Sequence, residues 1–209
     1  MYIPPHFEEV DEGAIAGLIA DAPLACLVAQ TAEGLLANHL PLLRAPKGDL
    51  IGHVALANEM HRLITPDQEV LAVFRRDDAY VSPNFYPSKQ EHHRHVPTWN
   101  YEVVHIYGRV SFQYDDHAKR VAVGLLTRDQ ERRLNGAAAW RMADAPAEYI
   151  DQMLGHIVAL RMVPTRVLAK TKLSQNREAR DYLGAVEGLR AAGHVGMAGR
   201  MAARRAAEG

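Results

Sequence analysis

The longest run of two-residue alternation in the chain covers residues 102–114. Val104, Ile106, Val110, Phe112 and Tyr114 fall on one face, and Val103, His105, Tyr107, Arg109, Ser111 and Gln113 on the other. Successive side chains of a strand point to opposite faces, so this segment reads as a long strand that buries one side. Gly108 interrupts the apolar face, at the kind of position where a strand wrapping a barrel bends or bulges. Shorter strand signals occupy residues 24–31, 35–43, 50–55 and 68–74, separated by Glu33-Gly34, Lys47-Gly48-Asp49 and Pro66-Asp67. Strands at intervals of roughly ten to fifteen residues, divided by Gly or Asp turns, predict an antiparallel barrel or sandwich. The strand faces at residues 24–31 and 103–113 offer more apolar and aromatic surface than one small barrel encloses, which predicts a homodimer.

Helical signals surround these strands. Ile15, Leu18 and Ile19 share one face of a short helix over residues 12–20, which Pro23 ends. Asp115 and Asp116 are N-cap candidates for a helix carrying Ala118, Val121, Ala122 and Leu125. Thr127 with Gln130 has capping-box spacing for a separate short helix. Pro146 leads into Ile150, Met153, Leu154 and Ile157, spaced for one helical face. Residues 160–173 return to strand. Asn176 can cap a last helix carrying Ala179, Leu183, Val186 and Leu189, with Gly193 as its stop. Residues 195–209 are rich in Ala, Gly and Arg and have no large apolar face, so they read as frayed or docked on a partner subunit. The expected organisation is one domain over residues 1–195 and a C-terminal tail over 196–209.

Composition narrows the function classes. The chain has 209 residues, with 24 Lys and Arg against 25 Asp and Glu, so its formal charge of −1 argues against broad electrostatic binding to nucleic acid or acidic membranes. At this size about 70% of the unfolded chain's surface is buried on folding, and no disulfide or metal is needed. The single cysteine, Cys26, excludes an internal disulfide framework, and its apolar flanks predict a buried, inert thiol. The N-terminal segment lacks the basic start and apolar run of a signal peptide, and no stretch approaches the ~20 apolar residues of a membrane span. A cytoplasmic location is the default.

Residues 74–114 hold nine of the fourteen aromatics, so the chemistry is sought there first. Pro83, Pro87 and Pro97 fix the path of a loop, and long ordered loops with aromatic and polar groups are more often functional than not. The loop covers either a ligand or the end of the barrel, and Trp99 either packs on a flat ligand or plugs the core. His92, His93 and His95 cluster in it and suggest a metal. No cysteine joins them, however, and Arg94 between them disfavours a cation, so solvated histidines or anion contacts are the better reading and no metal is expected. No Gly-x-Ser-x-Gly, Walker loop or Gly-x-Gly-x-x-Gly occurs. The segment Lys170-Thr-Lys-Leu-Ser-Gln-Asn-Arg177 runs from a strand end to a helix start. It offers cations, hydroxyls, amides and free helix N–H groups, which are the parts of a phosphate cradle, although a helix cap with solvated neighbours has the same composition.

Several blocks together resemble a known family. Tyr2-Ile-Pro-Pro-His-Phe7, Asn38-His-Leu-Pro41, Gly52-His-Val-Ala-Leu-Ala-Asn58, Tyr80-Val-Ser-Pro83, Tyr86-Pro-Ser-Lys89, Val96-Pro-Thr-Trp-Asn-Tyr101 with Val104-His105, and Lys172-Leu-Ser-Gln-Asn-Arg177 are similar to the PaiB-type FMN-binding negative transcriptional regulators. The likeness covers roughly residues 1–195. Asn38 stands where a threonine is frequent and Phe85 where a tryptophan is frequent, so no indole N–H is available at position 85. The resemblance implies an α+β fold with a six-stranded antiparallel split β-barrel of the pyridoxamine-phosphate-oxidase type and peripheral helices. It also implies a homodimer, with FMN held where two barrels meet. The phosphate candidates are Lys89, Ser88, Lys172, Ser174 and Gln175. His39, His53 and Asn58 are candidates for the ring or ribityl hydroxyls, and Trp99 for the isoalloxazine. Asn38, Thr98 and Asn100 complete the cofactor set.

Three functions follow as expectations. The family name implies a flavin-binding negative transcriptional regulator. DNA contact has little support beyond Arg200, Arg204 and Arg205 of the tail. An FMN-dependent oxidoreductase, with His39, His53 or His105 as acid or base, is the second. A haem- or metal-binding barrel that uses the histidines is the third.

Overall fold

In the computed structural model, which describes residues 1–207, strand β1 (Leu24–Thr31) folds straight back onto β2 (Gly34–Arg44). Gly34 takes φ 111°, which a side chain would resist. The Thr31 hydroxyl closes the same turn by donating to the Gly34 carbonyl at 2.9 Å and accepting from the Glu33 N–H at 3.2 Å. β2 pairs with β3 (Leu50–Ala55), and β3 pairs with β6 (Ile157–Lys172), both antiparallel. β1 also pairs antiparallel with β4 (Glu69–Val81). With β5 (Thr98–Gln113), the ring runs β1-β2-β3-β6-β5-β4 and closes as a six-stranded barrel. Among the described residues, seven α-helices complete the α+β fold: α1 (Glu12–Asp21), α2 (Met60–Leu63), α3 (Lys89–His92), α4 (Asp116–Asn135), α5 (Ala147–Gly155), α6 (Ala179–Ala191) and α7 (Val195–Ala207).

The chain forms two compact units, each made of separate segments. One holds Ile19–Phe74 and Val104–Leu168, which include most of the barrel. Alternation supplies its core: Leu27 from β1, Leu42 from β2, Leu50 from β3, Phe74 from β4, Ile106 from β5 and Leu160 from β6 are all buried. Each such side chain contributes about 1.5–3 kcal/mol relative to staying exposed. Gly108 serves close approach. A Cβ there would stand 2.5 Å from the Val163 carbonyl oxygen of β6, so only glycine lets the two backbones pass.

The other unit comprises Met1–Leu18, Arg75–Val103 and the chain from Ala169 onward. Its core gathers Ala79 and Val81 of β4, Tyr86, Leu173, Tyr182, Val186 and Leu189 of α6, and Met197, Ala198 and Met201 of α7. The α6 glycines make room for a loop. A Cβ on Gly188 would come within 2.3 Å of the Phe85 ring, and one on Gly184 within 2.3 Å of the Phe85 carbonyl. Phe85 therefore lies flat on a helix face cleared for it.

Four expectations are corrected. Residues 195–207 form α7, because a stripe of Met197, Ala198 and Met201 is buried even though it lacks large aliphatic residues. Glu208 and Gly209, also assigned to the tail, lie outside the described residues. No break occurs at Thr127. α4 runs on from its Asp115 cap, with Asp129–Arg133 and Glu131–Asn135 pairs one turn apart in its last turns, to Gly136 at φ 54°. The α6 N-cap is Glu178 rather than Asn176, since residues 174–177 are spent on a tight turn in which Arg177 N–H donates to the Ser174 carbonyl. Cys26 is half-buried, on the strand face opposite Ala25 and Leu27.

Candidate functional site

The end of β6 and the turn after it gather positive charge. The Lys172 ammonium donates to the Thr98 hydroxyl and to the Trp99 carbonyl, both at the start of β5. Burial, then the neighbouring charges of Lys170 and Arg177, lower the Lys172 pKa from the usual lysine range. Lys170 is buried, donates to the Tyr2 carbonyl at 3.2 Å and lies 5.2 Å from the centre of the Tyr101 ring. The Arg177 guanidinium sits 4.9 Å from the centre of the Tyr86 ring. Among the described residues, neither Lys172 nor Arg177 forms an ion pair with a carboxylate. Three cations held together without a counter-charge make a site for an anion.

The turn is built to hold that arrangement. Ser174 takes φ 64°, unusual for a residue with a side chain, and its hydroxyl donates to the Asn100 side-chain oxygen at 3.0 Å. Asn100 is fully buried and its amide contacts the Met201 sulfur at 3.4 Å, tying the turn to α7. Gln175 is spent on the turn itself. It accepts from the Leu173 N–H at 2.7 Å and donates to the Thr171 carbonyl at 2.6 Å. Thus Thr98, Trp99, Asn100, Lys172, Ser174 and Gln175 come together around the turn.

Ser88 is turned inward. Its hydroxyl donates to Asp181 at 2.6 Å and meets His95 Nε2 at 2.6 Å, while its N–H donates to the other Asp181 oxygen at 3.1 Å. Burial raises the Asp181 pKa, but the Ser88 hydroxyl and N–H, with His95 and Arg180, outweigh it and hold the carboxyl below the ordinary range. This buried cluster fastens the loop to α6. Lys89 opens α3 and donates to the Asn84 side chain.

The three loop histidines do separate work. His95 joins Ser88, His92 accepts the Arg94 N–H at 3.0 Å, and His93 is exposed at φ 54°. Among the described residues, no group of three His, Cys, Asp or Glu side chains converges to hold a metal. Trp99 is 53% exposed and stacks edge-on against Tyr80, so it does not plug a core.

The remaining candidates belong to the barrel unit. Asn58 donates to the Asn38 side-chain oxygen at 3.1 Å and accepts the Met60 N–H at 2.9 Å. His39 is exposed on β2. Among the described residues, His53 on β3 and His105 on β5 each carry a buried Nδ1 with no hydrogen-bond partner, and burial lowers both imidazole pKa values. Orphaned ring nitrogens of this kind are uncommon in a finished core.

Sequence reasoning missed Asp181, which nothing near Ser88 announces, and it left Lys170 and Arg177 outside the cofactor set although both lie in the flagged segment.

The ring of six strands with peripheral helices defines a split barrel, the fold of several flavin-associated proteins of known structure. Residues 1–166 match the family described as "Putative FMN-binding domain", and the chain belongs to that family. Protease synthase and sporulation protein PAI 2 of Bacillus subtilis (strain 168) is 29% identical over 192 residues, which cover 90% of this chain and 89% of that one. The PaiB-type resemblance is thereby borne out. The FAD and heme binding protein from Mycobacterium smegmatis superposes with a TM-score of 0.58 at 16% identity, covering 85% of this chain and 79% of that one. Flavocytochrome Anf3 from Azotobacter vinelandii gives 0.56 at 14% identity, covering 82% and 72%. These two likenesses concern the fold alone. Among the described residues, no helix is long and apolar enough to cross a membrane.

Proposed function

We propose that this chain is a cytoplasmic, homodimeric FMN-binding protein acting as a negative transcriptional regulator. The observation that carries the flavin reading is the uncompensated cluster of Lys170, Lys172 and Arg177 in a chain of the FMN-binding family. An FMN phosphate brings close to two negative charges, which such a cluster accommodates through charge-assisted hydrogen bonds. The exposed Tyr80–Trp99 pair suits the flat face of an isoalloxazine. In this reading Lys172 binds the phosphate, and Thr98 and Trp99 orient Lys172. Ser174, Asn100 and Gln175 shape the turn, and Ser88 with Asp181 fixes the loop. FMN, when bound, supplies the redox-active group that a sensor would read.

Two of the three tail arginines are engaged within the fold and Arg205 is exposed, which leaves little of the tail to contact DNA. Arg200 is engaged by Glu102 and Asp77, and Arg204 by Glu9 at 3.3 Å. A second reading, an FMN-dependent oxidoreductase, draws on His53 and His105, whose lowered pKa values keep them neutral and able to accept a proton at pH 7.

The deciding experiment is a titration of the purified protein with FMN and riboflavin, followed by light scattering and a DNA mobility-shift assay. Flavin absorbance with FMN preferred over riboflavin, and a mass twice that of the chain, are expected. A protein that binds neither flavin refutes the cofactor reading. Rapid oxidation of a reduced nicotinamide by the FMN-loaded protein would favour the enzyme.

A further inference from the structure

The second half of α4 bounds a cleft of about 600 Å³ that no part of the flavin reading uses. One wall is the helix face carrying Gly124, Arg128 and Arg132, successive positions one turn apart, with Thr127 beside them. The other wall is the returning chain. It leaves α4 at Gly136, makes a tight turn through Ala138, passes Trp140 and turns again over Met142–Asp144. Residues 137–139 are all alanine, so no side chain spans from this wall to the helix. Gly124 presents no side chain to the floor, where a Cβ would rest at ordinary contact distance, 3.6 Å, from the Met142 sulfur.

The cleft is held open by specific bonds. The Glu131 carboxylate accepts the Trp140 N–H at 2.9 Å and the Asn135 amide at 2.7 Å, pinning the outer wall to the helix. Asp144 accepts the Arg141 N–H at 2.9 Å and pairs with its guanidinium at 3.3 Å. The acids near the cleft are thereby committed. Arg133, on the far side of the helix, pairs with Asp129 at 3.0 Å and Asp21 at 3.6 Å. Arg128 and Arg132, which face the cleft, have no ion-pair partner among the described residues. Trp140 supplies a partly exposed indole at the same opening.

We propose that this cleft is a second ligand site, for a small molecule that joins an anionic carboxylate or phosphate head to a flat apolar body. Arg128 and Arg132 take the head, since guanidinium groups match the paired oxygens of both anions. Trp140 and the alanine wall take the body, and a volume of about 600 Å³ lies in the usual range of about 300–1,000 Å³ for small-molecule sites. The rival account has the two arginines merely complementing the negative end of the α4 dipole in solvent.

The test uses the full chain, with and without saturating FMN. A naphthoate ion, a naphthyl phosphate and neutral naphthalenemethanol are titrated by calorimetry, and the indole N–H resonance of Trp140 is followed in nitrogen-labelled protein. At least one anion is expected to saturate below about 1 mM, to move the Trp140 resonance and to bind irrespective of FMN. Which anion binds identifies the head group. The Arg128→Ala/Arg132→Ala variant, altered only at exposed positions, should bind at least tenfold more weakly. Gly124→Leu, which fills the floor and keeps both arginines, should abolish binding. The proposal is overturned if neither anion binds, if the neutral compound binds as tightly, or if either variant binds like the native chain. Because FMN occupies other residues, loss of flavin binding would leave this result untouched.

Discussion

Replacing Lys172 by alanine isolates the electrostatic part of the flavin reading. An ammonium has three N–H donors, and two of those of Lys172 go to Thr98 and Trp99, leaving one for a ligand oxygen. A hydrogen bond between charged groups contributes about 1.5–3 kcal/mol, or roughly 10–150-fold in affinity. Lys170 and Arg177 stay behind, so the loss for FMN should fall in the lower part of that range, about 10–30-fold. Riboflavin has no phosphate and should weaken by less than about threefold. The pH dependence has a definite sign. Burial and like charges depress the folded Lys172 pKa. An approaching phosphate favours the ammonium, so a proton is held or taken up on binding. FMN affinity should therefore fall as pH rises through the pKa of the flavin-free protein. Stability of the flavin-free chain should move the opposite way: the penalty of a crowded ammonium is full below the folded pKa and disappears as pH climbs towards the unfolded value. Lys172→Ala should abolish both limbs. Fluorescence titration of each flavin across pH measures the affinities, and urea unfolding measures the stability. Equal weakening of FMN and riboflavin, or an unchanged alkaline limb in the variant, would show that Lys172 only props the β5 start.

Other outcomes are equally specific. Gly188→Ala should cost about 1–3 kcal/mol in urea unfolding, because the new methyl meets the Phe85 ring, and combining it with Phe85→Leu should recover part of the loss; an unchanged midpoint would refute the packing. Asp181→Asn should cost about 1–3 kcal/mol at pH 7. Since the folded Asp181 pKa is depressed, its stabilisation holds above the unfolded carboxylate pKa and fades as pH falls through the folded one, so native and variant stabilities should converge in acid; parallel curves would remove Asp181 from the acid transition. Trp99→Phe should leave the flavin-free melting temperature nearly unchanged and weaken FMN, whereas a large drop in melting temperature would restore the core role that its exposure argues against.

The barrel strands were legible because their information is local. Residues 24–31 and 50–55 are short apolar runs bounded by turn residues, and the structure places β1 and β3 over those same residues. Trp99 and Lys172 stood out from local composition and Thr98 through the family resemblance, although 73 and 74 residues separate the lysine from its two partners. Asp181 was illegible for the converse reason. Its role exists only through Ser88, 93 residues away, and a lone acid at the start of a helix looks like any other. α7 escaped notice because methionine and alanine fill its buried stripe, and pattern reading weights larger aliphatic residues. Thr127 offered a capping signal that the pairs later in α4 overrode, since Asp129–Arg133 and Glu131–Asn135 favour continuing the helix.

The placement of Met197 and Met201 has a consequence during synthesis. Ala79, Val81 and Tyr86 emerge early, yet Met197 and Met201, which cover them, follow more than a hundred residues later in the chain. At about 5–20 residues per second, the ribosome takes on the order of 5–20 s to travel from β5 to α7. For that interval an apolar surface is finished on one side and bare on the other. Early release of the nascent chain, or truncation before Val195, would leave that surface uncovered and make the product a client for chaperones and proteases.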